Sequence, residues 1–278
     1  MFQHLFHFAR ASLFGGAIFV QLVSLGLAQT LPNHFDPSAY DDTLDMSLVP
    51  SIRFLTSPDF PPFNFKEASG DVVGYNVELA QALCAELEVD CTLQSWPWAQ
   101  LPKALEEGQG DAIIAGLSID AENGRLFGFS QSYLQLPARF VGRKERGALA
   151  EFNPHKLSGV VGVRRNSSHH EYLIRYFSNV VALPFDSELD VLKGVDAGTI
   201  DMGFVDGMRA SFWLNQNECC DFAGAAYFSV EHFGAGLGIA VSKDKNDALR
   251  AINIGLRRLA VSGKLDELYL KWFPIGFY

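Results

Sequence analysis

The chain has 278 residues, 48% of them hydrophobic and 19% charged, with a formal net charge of -10. This is globular composition with enough apolar content for a sizeable core, and the length suits one large domain or two small ones. An acidic chain without basic runs is a poor partner for nucleic acid or anionic lipid.

Arg10 is the only charge before Asp36. The apolar stretch 11–28 follows it and closes on Gly26-Leu27-Ala28, with small residues at the two positions a signal peptidase reads. Residues 1–28 therefore read as a cleaved secretory signal, with a membrane anchor as the rival because the stretch borders on spanning length. Gly15, Gly16, Gln21 and Ser24 weaken the anchor. No Cys follows the stretch, so no lipid-anchored form is expected. Export makes disulfides possible. Cys84 and Cys91 lie at a helix end and the start of the next strand, where two Cα atoms can come within bridging distance. Cys219 and Cys220 are adjacent; they fit either a vicinal disulfide or two thiols, and no zinc pattern.

Residues 29–50 contain Pro32, Pro37 and Pro50 without periodicity and read as a leader that is disordered or lies on the surface. Strand and helix patterns then alternate. A strand is expected over 52–55, then a Pro58–Pro62 loop, then a helix capped by Asn76 with Val77, Ala80, Leu83, Cys84 and Leu87 on one face. A strand over 93–96, a helix over 101–107 stopped by Gly108 and a buried strand over 112–115 follow. A second α/β series has strands over 160–163 and 201–205, a helix over 170–177 and a helix over 188–197 capped by Ser187. Leu249, Ile252, Leu256 and Leu259 form the stripe of a terminal helix, and Gly263 separates it from another over 265–272.

The halves echo each other. Lys103, Gly108 and Asp111 recur at the same spacing as Lys193, Gly198 and Asp201. Two similar βα series point to two similar lobes, with ligand beyond the carboxyl ends of the strands. Those ends are Gly116-Leu117-Ser118 and Asp206-Gly207.

Several stretches carry a family likeness: Thr56-Ser57-Pro58-Asp59-Phe60-Pro61-Pro62-Phe63, Gly74-Tyr75-Asn76-Val77-Glu78-Leu79-Ala80, the Cys84 and Cys91 spacing, Gly110 to Ile119, Val161-Gly162-Val163 with Asn166-Ser167-Ser168, and Ile200-Asp201 through Asp206. In order and spacing the chain resembles the bacterial periplasmic amino-acid-binding proteins (solute-binding family 3), those similar to the histidine and lysine/arginine/ornithine binding proteins. The resemblance implies an α/β, two-lobe periplasmic binding protein fold of type II. Lobe 1 would take 51–140 plus 232–278 and lobe 2 145–227, with crossings near Val141 to Arg143 and Phe228 to Glu231. It implies a periplasmic receptor, monomeric, that passes an amino-acid-like molecule to an inner-membrane ABC permease, with no metal or cofactor.

The implied ligand set is Ser57, Phe60, Trp98, Gly116, Ser118, Arg125, Ser167, Ser168 and Asp206. Phe60 and Trp98 can offer flat apolar faces, or be ordinary core aromatics. Ser118 and the amides around Gly116 can donate to a carboxylate. Ser167 and Ser168 precede a helix whose free N–H groups favour an anion. Asp206 can pair with an ammonium, or be a surface-turn aspartate. The family usually carries a carboxylate-clamping Arg shortly after the Ser118 position; Arg125 falls one or two residues late. Cation-binding members often have an acidic residue where Ser57 stands, while Arg164 and Arg165 hint at an acidic or polar ligand side chain, or are simply solvated. The rival classes are an enzyme of this fold, a dehydratase or lyase, for which no nucleophile–base pair is visible, and a sensor module docking to another protein. His169-His170-Glu171 lacks the i,i+4 spacing of a helical metal pair.

Overall fold

The computed structural model describes residues 29–34, 44–146, 149 and 152–278. The expected export signal lies outside the described residues. Among the described residues no helix is long and apolar enough to cross a membrane.

The first half builds β1 (Ser51–Thr56), β2 (Asp59–Phe60), β3 (Asn64–Lys66), β4 (Val72–Val73), α1 (Tyr75–Leu87), β5 (Asp90–Ser95), α2 (Leu101–Glu106), β6 (Ala112–Ser118), α3 (Asn123–Leu126) and β7 (Gly128–Phe129). The short strands β2, β3 and β4 form a sheet of their own. The middle of the chain builds β8 (Ala138–Arg143), β9 (Val160–Arg164), α4 (Ser168–Tyr176), β10 (Val181–Phe185), α5 (Glu188–Asp196), β11 (Met202–Asp206), α6 (Gly207–Leu214), β12 (Cys220–Tyr227) and α7 (Val230–Phe233). The chain ends in β13 (Leu237–Val241), α8 (Asn246–Val261) and α9 (Lys264–Trp272).

Two five-stranded sheets result, ordered β5-β1-β6-β13-β7 and β10-β9-β11-β8-β12. In each, the first three strands are parallel and the fourth is antiparallel. The central strands are apolar on both faces because helices cover both. Ile52 and Phe54 of β1 join the core under α1, α8 and α9, while Leu55 faces the opposite cluster with Leu101 and Leu105 of α2.

The short repeat read from the sequence is structural. Gly108 and Gly198 end their helices at φ +71° and +68°, a conformation glycine adopts without steric cost. Asp111 then accepts from the Arg53 amide at 3.0 Å, and Asp201 from the Val160 amide at 2.8 Å. In both lobes the aspartate before β6 or β11 thus anchors the adjacent parallel strand, β1 or β9.

Asn76 does not cap α1. The helix enters from Gly74 at φ +134°, where a Cβ would lie 2.3 Å from the Phe63 carbonyl oxygen. Asn76 is fully buried and bonds Asn64 and Tyr133 instead. Ser187 does cap α5, its hydroxyl accepting from the Asp190 amide at 3.1 Å.

Residues 141–143 lie inside β8, which pairs with β11 and β12 of the second sheet. Before them, Leu134 is bridged to Leu237 of the first sheet. On the return, α7 is still tied to lobe 2 by Arg175–Glu231 at 2.8 Å. Ala235 then donates to the Ile119 carbonyl that follows β6 of the first sheet. A strand's pairing partner, and not its sequence pattern, decides which lobe owns it. Tyr278 braces the segment before β8: its hydroxyl bonds both the amide and the carbonyl of Gln135, and its carbonyl accepts from Arg139 at 2.9 Å.

Cys84 and Cys91 form a disulfide with a Cα–Cα distance of 6.1 Å, joining α1 to β5. Replacing both by serine is expected to lower stability by about 2–3 kcal/mol on the chain-entropy account. An unchanged denaturation midpoint in urea would contradict this. Cys219 and Cys220 are joined as a vicinal disulfide, which decides between the two states left open by the sequence.

Candidate functional site

β6 and β11 hold equivalent places in their sheets, and their carboxyl ends carry the two halves of the candidate site. At the end of β6, Gly116 has φ +80° and lies directly under the Phe60 ring; a Cβ there would come within 2.5 Å of the ring. Phe60 is stacked on Phe63, with centroids 4.8 Å apart and planes 13° from parallel. Ser118 is half-buried. Its carbonyl is held at 3.0 Å by the Asn123 side chain, which also bonds Asp120 and so fixes the following loop.

Three expected residues stand apart from this wall. Ser57 is fully buried, and its hydroxyl and carbonyl both accept from the Asn64 amide, at 3.0 and 2.8 Å. It begins a buried polar chain through Asn64 and Asn76 to the Tyr133 hydroxyl, so its position is behind the wall. Trp98 lies on a 3-10 turn, 46% exposed. Arg125 is exposed on α3, beyond the Asn123 loop.

Lobe 2 supplies a cavity of about 380 Å³. Asn166, at φ +52°, turns the chain from β9 into α4. Ser167 caps α4, accepting from the His170 amide at 3.2 Å and donating to the Arg164 carbonyl at 2.7 Å. Ser168 is the first residue of that helix. Asp206 caps α6 through the Arg209 amide at 2.8 Å. Ser167, Ser168 and Asp206 all line the cavity, with Leu136, His232 and Phe233 from the connecting segments. Phe60, Trp98, Gly116 and Ser118 do not line it. Lobe 2 residues are thus assembled, and the lobe 1 wall is separate from them.

Electrostatics single out Asp206. Burial pushes its carboxyl up to about 6, with the nearby Glu188 carboxylate acting in the same direction and the Arg209 amide and guanidinium opposing. His169, also on the cavity wall, is lowered to about 4, first by burial and then by Arg209 and Arg164. Sequence reading missed Glu188, Arg209 and the role of His169. Glu188 follows the Ser187 cap, so it reads as an ordinary first-turn acid; only packing turns it toward Asp206. For a metal, the one three-ligand cluster among the described residues is Asp196, Cys219 and Cys220. Both sulfurs there are bonded to each other, so neither is a thiolate ligand.

Residues 52–275 match the bacterial extracellular solute-binding proteins, family 3. The chain belongs to that family. Among similar members, the putative ABC transporter arginine-binding protein 2 of Escherichia coli strain K12 is 29% identical, over 83% of this chain and 94% of that protein. The lysine/arginine/ornithine-binding periplasmic protein of the same strain is 28% identical, over 84% and 91%. Among solved structures, the unliganded, open L-cystine solute receptor of Neisseria gonorrhoeae superposes with a TM-score of 0.71 at 19% identity, covering 82% of this chain and 94% of that one. The likeness is to a two-lobe binding-protein fold, as expected from the sequence.

Proposed function

We propose that this chain is an extracytoplasmic receptor that takes an amino acid or a related small polar solute between its lobes and delivers it to an ABC permease. The observation that carries this reading is the pairing of β6 and β11. One strand end offers Gly116 amides, Ser118 and the Phe60 face; the other offers a buried carboxylate, Asp206, beside the capped N-terminus of α4. A zwitterion matches that polarity, its carboxylate toward lobe 1 and its ammonium on Asp206. The relatives named for arginine and for lysine/arginine/ornithine binding support the amino-acid class. In this reading the protein is exported to the periplasm, and lobe 1 is 51–134 with 235–278, lobe 2 the segment between.

Function then requires closure about residues 135–137 and 234, a hinge motion. A calorimetric titration with recovery of the solute tests the reading: tight binding with the solute returned unchanged is expected, and turnover would replace the receptor with an enzyme. Solution scattering is expected to give a smaller radius of gyration with saturating ligand. Identical radii in the two states would count against closure.

A further inference from the structure

Besides the two connecting segments, the residues after α9 join the lobes by packing. Phe273 and Phe277 are fully buried in the lobe 1 core, where both rings lie against Tyr269, at 5.2 and 5.3 Å between centroids. Ile275, between them, packs instead on the lobe 2 cluster that holds Val141 and Val205. Helix α6 of lobe 2 returns the contact. Its Met208 is buried in the lobe 1 core cluster, and the Phe212 ring lies 6.1 Å from that of Phe273.

Tyr278 holds both connecting segments at once. Its hydroxyl bonds Gln135 ahead of β8, and its ring stacks on Phe228 after β12, with centroids 5.9 Å apart. Its carbonyl accepts from Arg139 of β8, which is buried, donates to the Gly224 carbonyl and lies 4.3 Å over the Phe222 ring. All of this sits on one face of the second sheet. Val141 and Val205 lie there under α5, α6 and Ile275. Phe140 and Phe204 face the other way, toward α4 and α7, which supply Ser168, His169 and His232 to the cavity wall.

In this structure the lobe 1 wall is separate from the lobe 2 cavity, and the contacts of residues 273–278 are complete. Closure turns α6 and β8 with lobe 2, whereas Phe273 and Phe277 stay locked in lobe 1. Close-packed side chains do not deform continuously, so closure must break or slide the contact. Its free energy counts for the separated arrangement, and a ligand has to offset it. We propose that residues 273–278 are a brace that holds the lobes apart: their contact with α6 and Arg139 sets the fraction of closed protein, and through it the ligand affinity, from outside the cavity. This rests on the receptor reading above and adds to it the element that tunes it.

The test is solution scattering of the unliganded parent, Phe212→Ala, Ile275→Ala and the double variant, a measurement that needs no ligand. Each folded variant is expected to have a smaller radius of gyration than the parent, the double variant the smallest. Ile275 is half-buried, so its variant serves if Phe212→Ala does not fold. Calorimetry with L-arginine as the probe gives the second arm. The double variant should bind it at least about threefold more tightly than the parent, because apparent affinity scales with the competent fraction. Radii equal to or larger than the parent's overturn the inference and leave the receptor reading standing. So does contraction without tighter binding, when the parent binds the probe. If the parent does not bind L-arginine, the radii alone decide. Contraction in the variants of a parent that binds no small solute overturns the receptor reading and leaves the brace.

Discussion

Asp206→Asn is expected to weaken the natural ligand by at least about thirtyfold, since removing one partner of a desolvated charged contact costs about 2–5 kcal/mol. The fold should survive, because asparagine caps a helix as well as aspartate does and the Arg209 amide keeps its acceptor. The unliganded variant should even gain stability at neutral pH. The carboxyl is raised from 3.8 to about 6 by burial and then by Glu188. A raised carboxyl means the folded state binds more protons than the unfolded state between those values. Stability therefore falls as pH rises through that window, and the cost, up to about 3 kcal/mol, is complete above about pH 6. A cationic ligand reverses the sign. It needs the ionised carboxylate, so affinity should rise as pH climbs through about 6 and level off above. Titrations at pH 5 and pH 8 check this, with the Asn variant expected to lose the dependence. Parental affinity in Asp206→Asn would remove the cation from this site.

Gly116→Ala has the next largest expected effect, and it acts on both stability and binding. At φ +80° any side chain is strained, by about 1–2 kcal/mol. The new methyl would also lie 2.5 Å from a Phe60 ring that is itself stacked on Phe63, so the ring must leave its place, adding about 1–3 kcal/mol. A total of about 2–5 kcal/mol should show as a lower denaturation midpoint. Ligand affinity should drop as well, because the displaced ring is the apolar face of the lobe 1 wall. A variant with the parental midpoint and affinity would mean that Gly116 and Phe60 are not in contact.

The strand ends were legible in the sequence because each follows a glycine-stopped helix, a fixed three-residue turn and an aspartate. Asp111 and Asp201 do related work in both lobes by accepting from an amide of the neighbouring parallel strand, Arg53 of β1 and Val160 of β9. Ser167 and Asp206 were legible for a related reason, since helix capping is local chemistry. The surroundings of Ser57 were not legible, because its neighbours along the chain do not reveal Asn64 and Asn76, which bond it and each other from the next strand and helix. The exposure of Arg125 on α3, after the loop held by Asn123, was likewise not legible from its place in the chain.

What the sequence determined by itself was therefore the local and the periodic: two α/β series, a short repeat, the strand ends, the helix caps and the possible Cys84–Cys91 bridge. These rest on hydrophobic period, glycine conformation and hydrogen bonds spanning a few residues. Only the tertiary structure decided which sheet β8 belongs to, and that Glu188 and His169 share a cavity with Asp206. Those facts depend on pairing and burial between residues far apart in the chain. A carboxylate at the first turn of a helix looks the same in sequence whether it faces water or another buried carboxylate.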